Sequence, residues 1–356
     1  MSGKILMKGA EALAEGAIKA GCRLFFGYPI TPQNEAPGYM SKRMPQVGGL
    51  FLQAESEVSA INMLYGAAST GSRVLTSSSS PGISLMQEGL SYIAGAQLPV
   101  VVVNVMRAGP GLGAIGPAQS DYFQATKGGG HGDYRVITFA PSSLQEQIDL
   151  MYDAFDLAEK YRTPVMILSD GLLGQIMEAV EFKREKDPKD IPSQSWAATG
   201  RKNRNKVLIN SFNLDPDGLE ADNQVLFRKY DEITKNEIRF ENYYTDDAEV
   251  LIVAYGTVAR ICKTAIKSLR EEGYKVGLFR PISLWPFPNK QITELANIEK
   301  IKTIYVFELS HGQMVEDVQL SVKNQKPILF YGRTGGNVPS PSEISGKIKE
   351  LFQGGK

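Results

Sequence analysis

The chain is short of the side chains that hold metals. Its 356 residues include only two cysteines, Cys22 and Cys262, and two histidines, His131 and His311. The cysteines lie far apart with no CxxC spacing, which excludes an intrinsic iron–sulfur cluster and a cysteine-rich zinc site. So few thiols suit a reducing compartment, and the expected location is the cytoplasm. Two isolated histidines cannot build a histidine metal cluster. An excess of one charge is also missing, since Lys plus Arg and Asp plus Glu both total 39. No basic surface is therefore available for nucleic acid or anionic lipid. No apolar run reaches membrane-spanning length. The N-terminal segment MSGKILMKGAEALAEGA has neither the apolar stretch nor the cleavage site of a signal peptide.

What is present is the composition of a globular protein, 42% hydrophobic and 22% charged, with a length that suggests two domains. The first part alternates helix and strand. Helices are predicted over Gly9–Ala20, Glu55–Ser69, Gly82–Ala94 and Ser142–Tyr161. The last carries Ser142, Ser143 and Glu146 at its start, a capping signature. Strands are predicted over Cys22–Phe26, Arg73–Ser77, Pro99–Met106, Tyr134–Ala140 and Thr163–Ser169. The unbroken β-branched run PVVVVNVM suits a parallel strand covered on both faces. The alternation implies a doubly wound parallel sheet over residues 1–182. Residues 183–248 turn charged and lose any clean period, and read as a linker or excursion with partial structure. A smaller open α/β pattern follows over 249–356, with strands at Glu249–Tyr255, Lys275–Phe279, Thr303–Phe307 and Ile328–Tyr331. Helices are expected over Val258–Glu272 and near Asn289, His311 and Ser342.

Five segments could carry chemistry. In FFGYPITP, prolines Pro29 and Pro32 bracket Ile30 and Thr31 at a strand end, where ligands sit in open α/β sheets; the plainer reading makes Thr31 a helix cap. In LQAESEVSAINMLYGAASTG, Glu55 and Glu57 stand where a strand meets a helix, and both could be ordinary first-turn glutamates. The TSSSSPG run, Thr76–Gly82, crowds hydroxyls at a helix start and suits capping or an anion. In MRAGPGLGAIGPAQSD, Gly111, Gly113 and Gly116 form a literal GxGxxG, but no long helix follows and no acidic residue closes a second strand. A flexible glycine loop carrying Arg107 fits better, and such an arginine can hold a carboxylate or pair with a nearby Asp. In TKGGGHGDYR, His131 is a lone loop histidine, a proton donor, a substrate contact or neither.

Together these segments resemble the α subunit of the 2-oxoacid:ferredoxin oxidoreductases. The likeness rests on YPITP, on QAESEVSAINMLYGA, on TSSSSPGISLMQEGLSYIAGAQLPVVVVNVMR and on QSDYFQATKGGGHGDYR, with FRPISLWPFP and VFELSHGQM in the second half. It looks closest to the branched-chain type that acts on 3-methyl-2-oxobutanoate (2-ketoisovalerate), with the 2-oxoglutarate type as the alternative. The resemblance implies a thiamine-diphosphate pyrimidine-binding domain followed by a smaller domain like the C-terminal domain of transketolase. It implies thiamine diphosphate shared with a β subunit that supplies Mg²⁺ and the diphosphate contacts. Iron–sulfur clusters would lie only in partner chains, including a γ subunit, and ferredoxin and coenzyme A would take part. By the same resemblance, Glu57 is the cofactor-activating glutamate and Glu55 is structural. Thr31 contacts the keto acid, Pro29 lies beside the cofactor, and Arg107 pairs with the substrate carboxylate. Gln33, Asn34 and Glu35 depart from the small hydroxyl residues of many relatives. Two rival classes are a nicotinamide-binding dehydrogenase using the Gly111–Gly116 loop and a non-catalytic scaffold subunit.

Overall fold

The computed structural model describes residues 3–353. The extreme ends of the two expected domains, residues 1–2 and 354–356, lie outside the described residues.

Strand β1 (Ile5–Lys8) leads into helix α1 (Gly9–Lys19), β2 (Leu24–Gly27), α2 (Glu35–Gln46), β3 (Leu50–Gln53) and α3 (Glu57–Ala68). Next come β4 (Val74–Ser78), α4 (Ser80–Gly95), β5 (Val100–Met106), a short α5 (Tyr122–Lys127) and β6 (Ile137–Phe139). Then follow α6 (Leu144–Tyr161), β7 (Pro164–Asp170), α7 (Gly171–Gln175) and β8 (Met177–Val180). The expected excursion contains α8 (Pro216–Asn236) and β9 (Phe240–Tyr243). The last part runs β10 (Val250–Val253), α9 (Gly256–Glu271), β11 (Val276–Pro281), β12 (Ser283–Trp285) and α10 (Asn289–Ala296). It ends with β13 (Thr303–Glu308), α11 (Met314–Val322), β14 (Ile328–Gly332) and α12 (Pro341–Gln353).

Two sheets carry the fold. The larger has the order β12-β6-β7-β5-β4-β2-β3, and all its pairs are parallel except β12 on β6. Every residue of β5 and β7 is buried, as their apolar runs require when helices cover both faces. Helices α1, α2 and α6 pack together, and α3 packs with α4. The chain therefore winds one way from β2 and the other way from β4. A crevice opens at the carboxyl ends of these neighbouring strands. The smaller sheet has the order β14-β13-β10-β11-β9, with only β9 antiparallel.

Residues 183–247 are more regular than their composition suggests. The 21-residue helix α8 starts at a proper cap, with Asp215 accepting from Gly218 N at 3.1 Å. Its buried stripe is only Leu226, Tyr230 and Ile233, too sparse to register as a period. Helix α2 was equally hidden, because Pro37, Gly38 and Pro45 lie within it; Pro37 falls in its first turn, where proline is tolerated.

The capping signature at α6 forms, and it does more than cap. Ser143 Oγ accepts from Glu146 N at 3.2 Å, and Glu146 Oε2 accepts from Ser142 N at 2.7 Å. Glu146 also takes both amino groups of Arg280, which lies on β11 of the other sheet, at 2.9 and 2.7 Å. Arg280 Nε donates to Glu241 at 2.7 Å. A buried arginine thus joins a helix start in one sheet layer to the edge strand of the other. Replacing Arg280 by methionine leaves Glu146 without its cation and Glu241 with Lys263 alone. The usual cost of breaking a buried pair is about 3–5 kcal/mol. These carboxylates keep 21% and 31% of their side-chain exposure, so water recovers part of it. The expected loss is about 2 kcal/mol in a urea titration of Arg280→Met.

Candidate active site

The site is assembled by the hydroxyl run at the end of β4. Ser77 Oγ donates to Gln33 Oε1 at 2.6 Å. Ser78 Oγ donates to Glu57 Oε1 at 3.4 Å. Ser80 Oγ accepts from Arg107 N at 3.0 Å and donates to Asp121 Oδ2 at 2.6 Å. Hydroxyls from the end of β4 and the first residue of α4 thus reach the loop after β2, the start of α3 and the loop after β5. Capping is not their main work: Ser79 precedes α4, but its hydroxyl makes no cap bond and is buried without a partner.

Gln33 is fully buried, and its Nε2 donates to the Tyr28 carbonyl at 3.2 Å. It is a strut across the crevice, so its difference from a small hydroxyl residue stiffens the loop instead of facing a ligand. Pro29 and Thr31 stay exposed on that loop. Asn34 Nδ2 donates to Thr31 Oγ1 at 3.4 Å.

The two glutamates have opposite fates. Glu55 is exposed and its carboxylate accepts from Ser59 Oγ. Glu57, the first residue of α3, is 4% exposed. Its burial depends on a glycine. A Cβ placed on Gly82, in the first turn of α4, would collide with Ser78 Oγ and Glu57 Oε1. Ser56 caps α3 by accepting from Ser59 N at 3.3 Å, so the Glu57 carboxylate is free for other work.

Arg107 is 7% exposed just beyond β5. Its Nη1 donates to the Thr31 carbonyl at 3.0 Å and its Nη2 to the Leu112 carbonyl at 2.9 Å. Thr31 and Arg107, far apart in sequence, are therefore in contact. Arg107 Nε is buried with no partner, an N–H kept in reserve. Below it, Asp121 accepts from Ser80 and, at 2.9 Å, from Asn104 Nδ2. Burial pushes the Asp121 carboxyl up from the usual carboxylate range. Asp121 had no role assigned from sequence; its only signal was the polar AQSD run after the glycine loop.

That loop does not behave as a dinucleotide fingerprint. It folds back on itself through a bridge between Arg107 and Pro117, and no helix begins before Tyr122. Gly113 is needed because a Cβ there would strike the Ala108 carbonyl oxygen. Gly116 lies against Gly336 from the second half of the chain, within 2.7 Å of a notional Cβ. The glycines fold the loop and let two backbones meet; they do not cradle a phosphate at a helix start.

Arg107, Ser80 and Asp121 line a cleft of about 590 Å³ whose far wall is His311, Gln313 and Thr334. Gln119 holds that wall in place. Its Nε2 donates to the Tyr255 carbonyl at 3.0 Å, and its Oε1 accepts from Leu309 N at 3.0 Å. His131 lies exposed in its glycine stretch and does not line this cleft.

A family model described as pyruvate flavodoxin/ferredoxin oxidoreductase, thiamine diphosphate-binding, matches residues 15–250. A second, pyruvate:ferredoxin oxidoreductase core domain II, matches residues 248–344. The chain belongs to the 2-oxoacid:ferredoxin oxidoreductase family. It is 50% identical over 346 residues to the ketoisovalerate oxidoreductase subunit VorB of Methanothermobacter marburgensis, covering 97% of each chain. The 2-oxoglutarate synthase subunit KorA of the same organism is 36% identical, with 98% and 99% covered. Among solved structures, the 2-oxoglutarate:ferredoxin oxidoreductase of Magnetococcus marinus superposes with a TM-score of 0.86 at 28% identity. The match spans 99% of this chain and 66% of that longer one. Thiamine diphosphate is the cofactor this family implies, and the residues present fit its pyrimidine end. They offer a buried carboxylate at the start of α3, seated against Gly82 of α4, and an unpartnered arginine N–H just beyond β5.

Gly82→Ala is expected to cost about 1–3 kcal/mol of stability in a urea titration, as overpacking does. Gly66 is the control. It is exposed inside α3 with nothing near a notional Cβ, so Gly66→Ala should stabilise by about 0.5–1 kcal/mol.

Proposed function

We propose that this chain is the α-type subunit of an enzyme that oxidatively decarboxylates 3-methyl-2-oxobutanoate to its acyl-coenzyme A and CO₂, passing electrons to ferredoxin. The observation that carries the reading is the buried Glu57 carboxylate, packed against Gly82 of α4 where no Cβ would fit. The branched-chain substrate is favoured over 2-oxoglutarate by the higher identity to the ketoisovalerate subunit.

Thiamine diphosphate, when bound, supplies the carbanion chemistry. Glu57 would hold the aminopyrimidine ring nitrogen by a hydrogen bond and supply or take a proton there. Pro29 lies beside the cofactor on the stiff loop after β2. Thr31 offers its hydroxyl to the keto acid. Arg107 holds the substrate carboxylate through its spare N–H groups, and Asp121 fixes that arginine through Ser80.

We place the Mg²⁺ and diphosphate contacts on a β subunit and the iron–sulfur clusters on partner chains. Both thiols of this chain are fully buried, which supports that division. Val58, Leu85 and Tyr92 remain exposed on α3 and α4, an apolar face suited to the β subunit. We take residues 1–182 and 249–356 as the two domains, joined by 183–248. The boundary at 248 is supported by the family models, which meet there, although the first of them also spans residues 183–248. A cytoplasmic setting is consistent with two unpaired thiols and with no membrane-length apolar helix among the described residues.

Viologen reduction by the co-purified complex tests the assignment. Glu57→Gln should lower turnover at least about tenfold, a floor set below the roughly 10²–10⁴-fold that acid–base help contributes. Undiminished turnover would instead mark the chain as a scaffold. Arg107→Ala should appear mainly as a raised KM for the 2-oxoacid, with coenzyme A unaffected; an equal loss for both ligands would remove Arg107 from carboxylate binding.

A further inference from the structure

A second hollow touches one of the same site residues, Thr31. A slot of about 360 Å³ includes Thr31 in its lining. Its apolar walls are Pro32 from the loop after β2, Ile115 and Pro117 from the loop after β5, and Leu172 from α7. Its one charged group is Glu35, whose Oε1 accepts from Gln175 Nε2 at 2.8 Å. No lysine, arginine or histidine lines it. Arg107 is hydrogen bonded to both loops that form these walls, through Thr31 O and Leu112 O.

In a 2-oxoacid the carboxylate and the side chain flank one keto carbon. A guanidinium that grips the carboxylate therefore leaves the side chain only a few bonds away. We propose that this slot receives the side chain of the 2-oxoacid and selects a short branched aliphatic group over a second carboxylate. The inference rests on the substrate assignment above and deepens it. An isopropyl group gains by leaving water for Pro32, Ile115 and Leu172. The distal carboxylate of 2-oxoglutarate would find no cation there and would face Glu35, which Gln175 holds in position. Rejection by like charge and acceptance by apolar contact act together. Ile115 is 64% exposed in the free chain, so substituting it should leave the fold intact.

The test uses the assembled complex with pyruvate, 3-methyl-2-oxobutanoate and 2-oxoglutarate. Ile115→Ala should lower kcat/KM for 3-methyl-2-oxobutanoate about tenfold more than for pyruvate, the scale of lost methyl contacts in a pocket. Combining Ile115→Arg with Glu35→Gln should raise 2-oxoglutarate relative to 3-methyl-2-oxobutanoate. A binding readout comes from alkylating Ile115→Cys. Burial pushes the Cys22 thiol up to about 12 and raises Cys262 as well, so the new thiol is the reactive one of this chain. 3-Methyl-2-oxobutanoate should protect it and 2-oxoglutarate should not. Equal effects on all three oxoacids, no effect, or no selective protection overturns the slot's role. A wild-type complex that turns over 2-oxoglutarate in preference overturns the substrate assignment itself, and the slot's role with it.

Discussion

The site depends on one short run of hydroxyls at the end of β4. Ser77, Ser78 and Ser80 bind Gln33, Glu57, and Asp121 with the Arg107 backbone N–H, so one strand-to-helix junction sets the spacing of two loops and a helix start. Short side chains are needed for this. A serine reaches only about one hydrogen bond from its backbone, so each loop is drawn close to the rigid sheet, and positional error stays small. The energy of each bond is modest, about 1 kcal/mol, but each replaces a buried polar group that would otherwise lack a partner. Gly82 belongs to the same constraint: only a residue without Cβ lets the Glu57 carboxylate lie against the helix that this run starts.

A second constraint holds the cleft wall. Among the polar joints that cross between the sheet layers are Glu146 with Arg280, and Gln119 with Tyr255 and Leu309. Each uses a group with another task. Glu146 also caps α6, and Gln119 sits at the end of the loop that begins with Arg107. Glu308 extends the pattern: its carboxylate accepts from the backbone N–H groups of Gln313, Met314 and Val315, which fixes the start of α11 and places His311 and Gln313 on the cleft. Burial pushes the Glu308 carboxyl up, while those N–H bonds oppose the shift. The wall opposite Arg107 is thus as firmly held as Arg107 itself.

Much of this was legible in the sequence because the strong signals were periodic. The runs at Val100–Met106 and Pro164–Asp170 suited buried strands, as they are, and the helices between them carried clear apolar stripes. The weak points were elements whose signal was masked. Proline disguised α2, and a three-residue stripe disguised α8. Strands β1 and β8 pair with each other outside both main sheets, and their exposed Leu6 and Met177 break any inside–outside alternation. In the site, family resemblance singled out Glu57, Thr31 and Arg107, but no pattern announces the roles of Gln33, Asp121 or Gly82. Those roles exist only between segments, where residues from β2, β4 and β5 meet.

The geometry also explains why this chain needs company. Glu57 is buried by its own polypeptide, yet Pro29 and Thr31 on the loop after β2 and Leu112 and Ile115 on the loop after β5 are exposed. Apolar Leu112 and Ile115 are held outward by a glycine loop whose base is fixed to Arg107. A loop that is rigid at its base and apolar at its tip is costly to leave in water and well prepared to be covered. Covering it would also dry the slot beside Thr31, where the Glu35 carboxylate would then repel a second negative charge more strongly than it can while solvated. Selection among oxoacids by this slot is therefore expected to sharpen on assembly, with the residues of this chain already in place before the partner arrives.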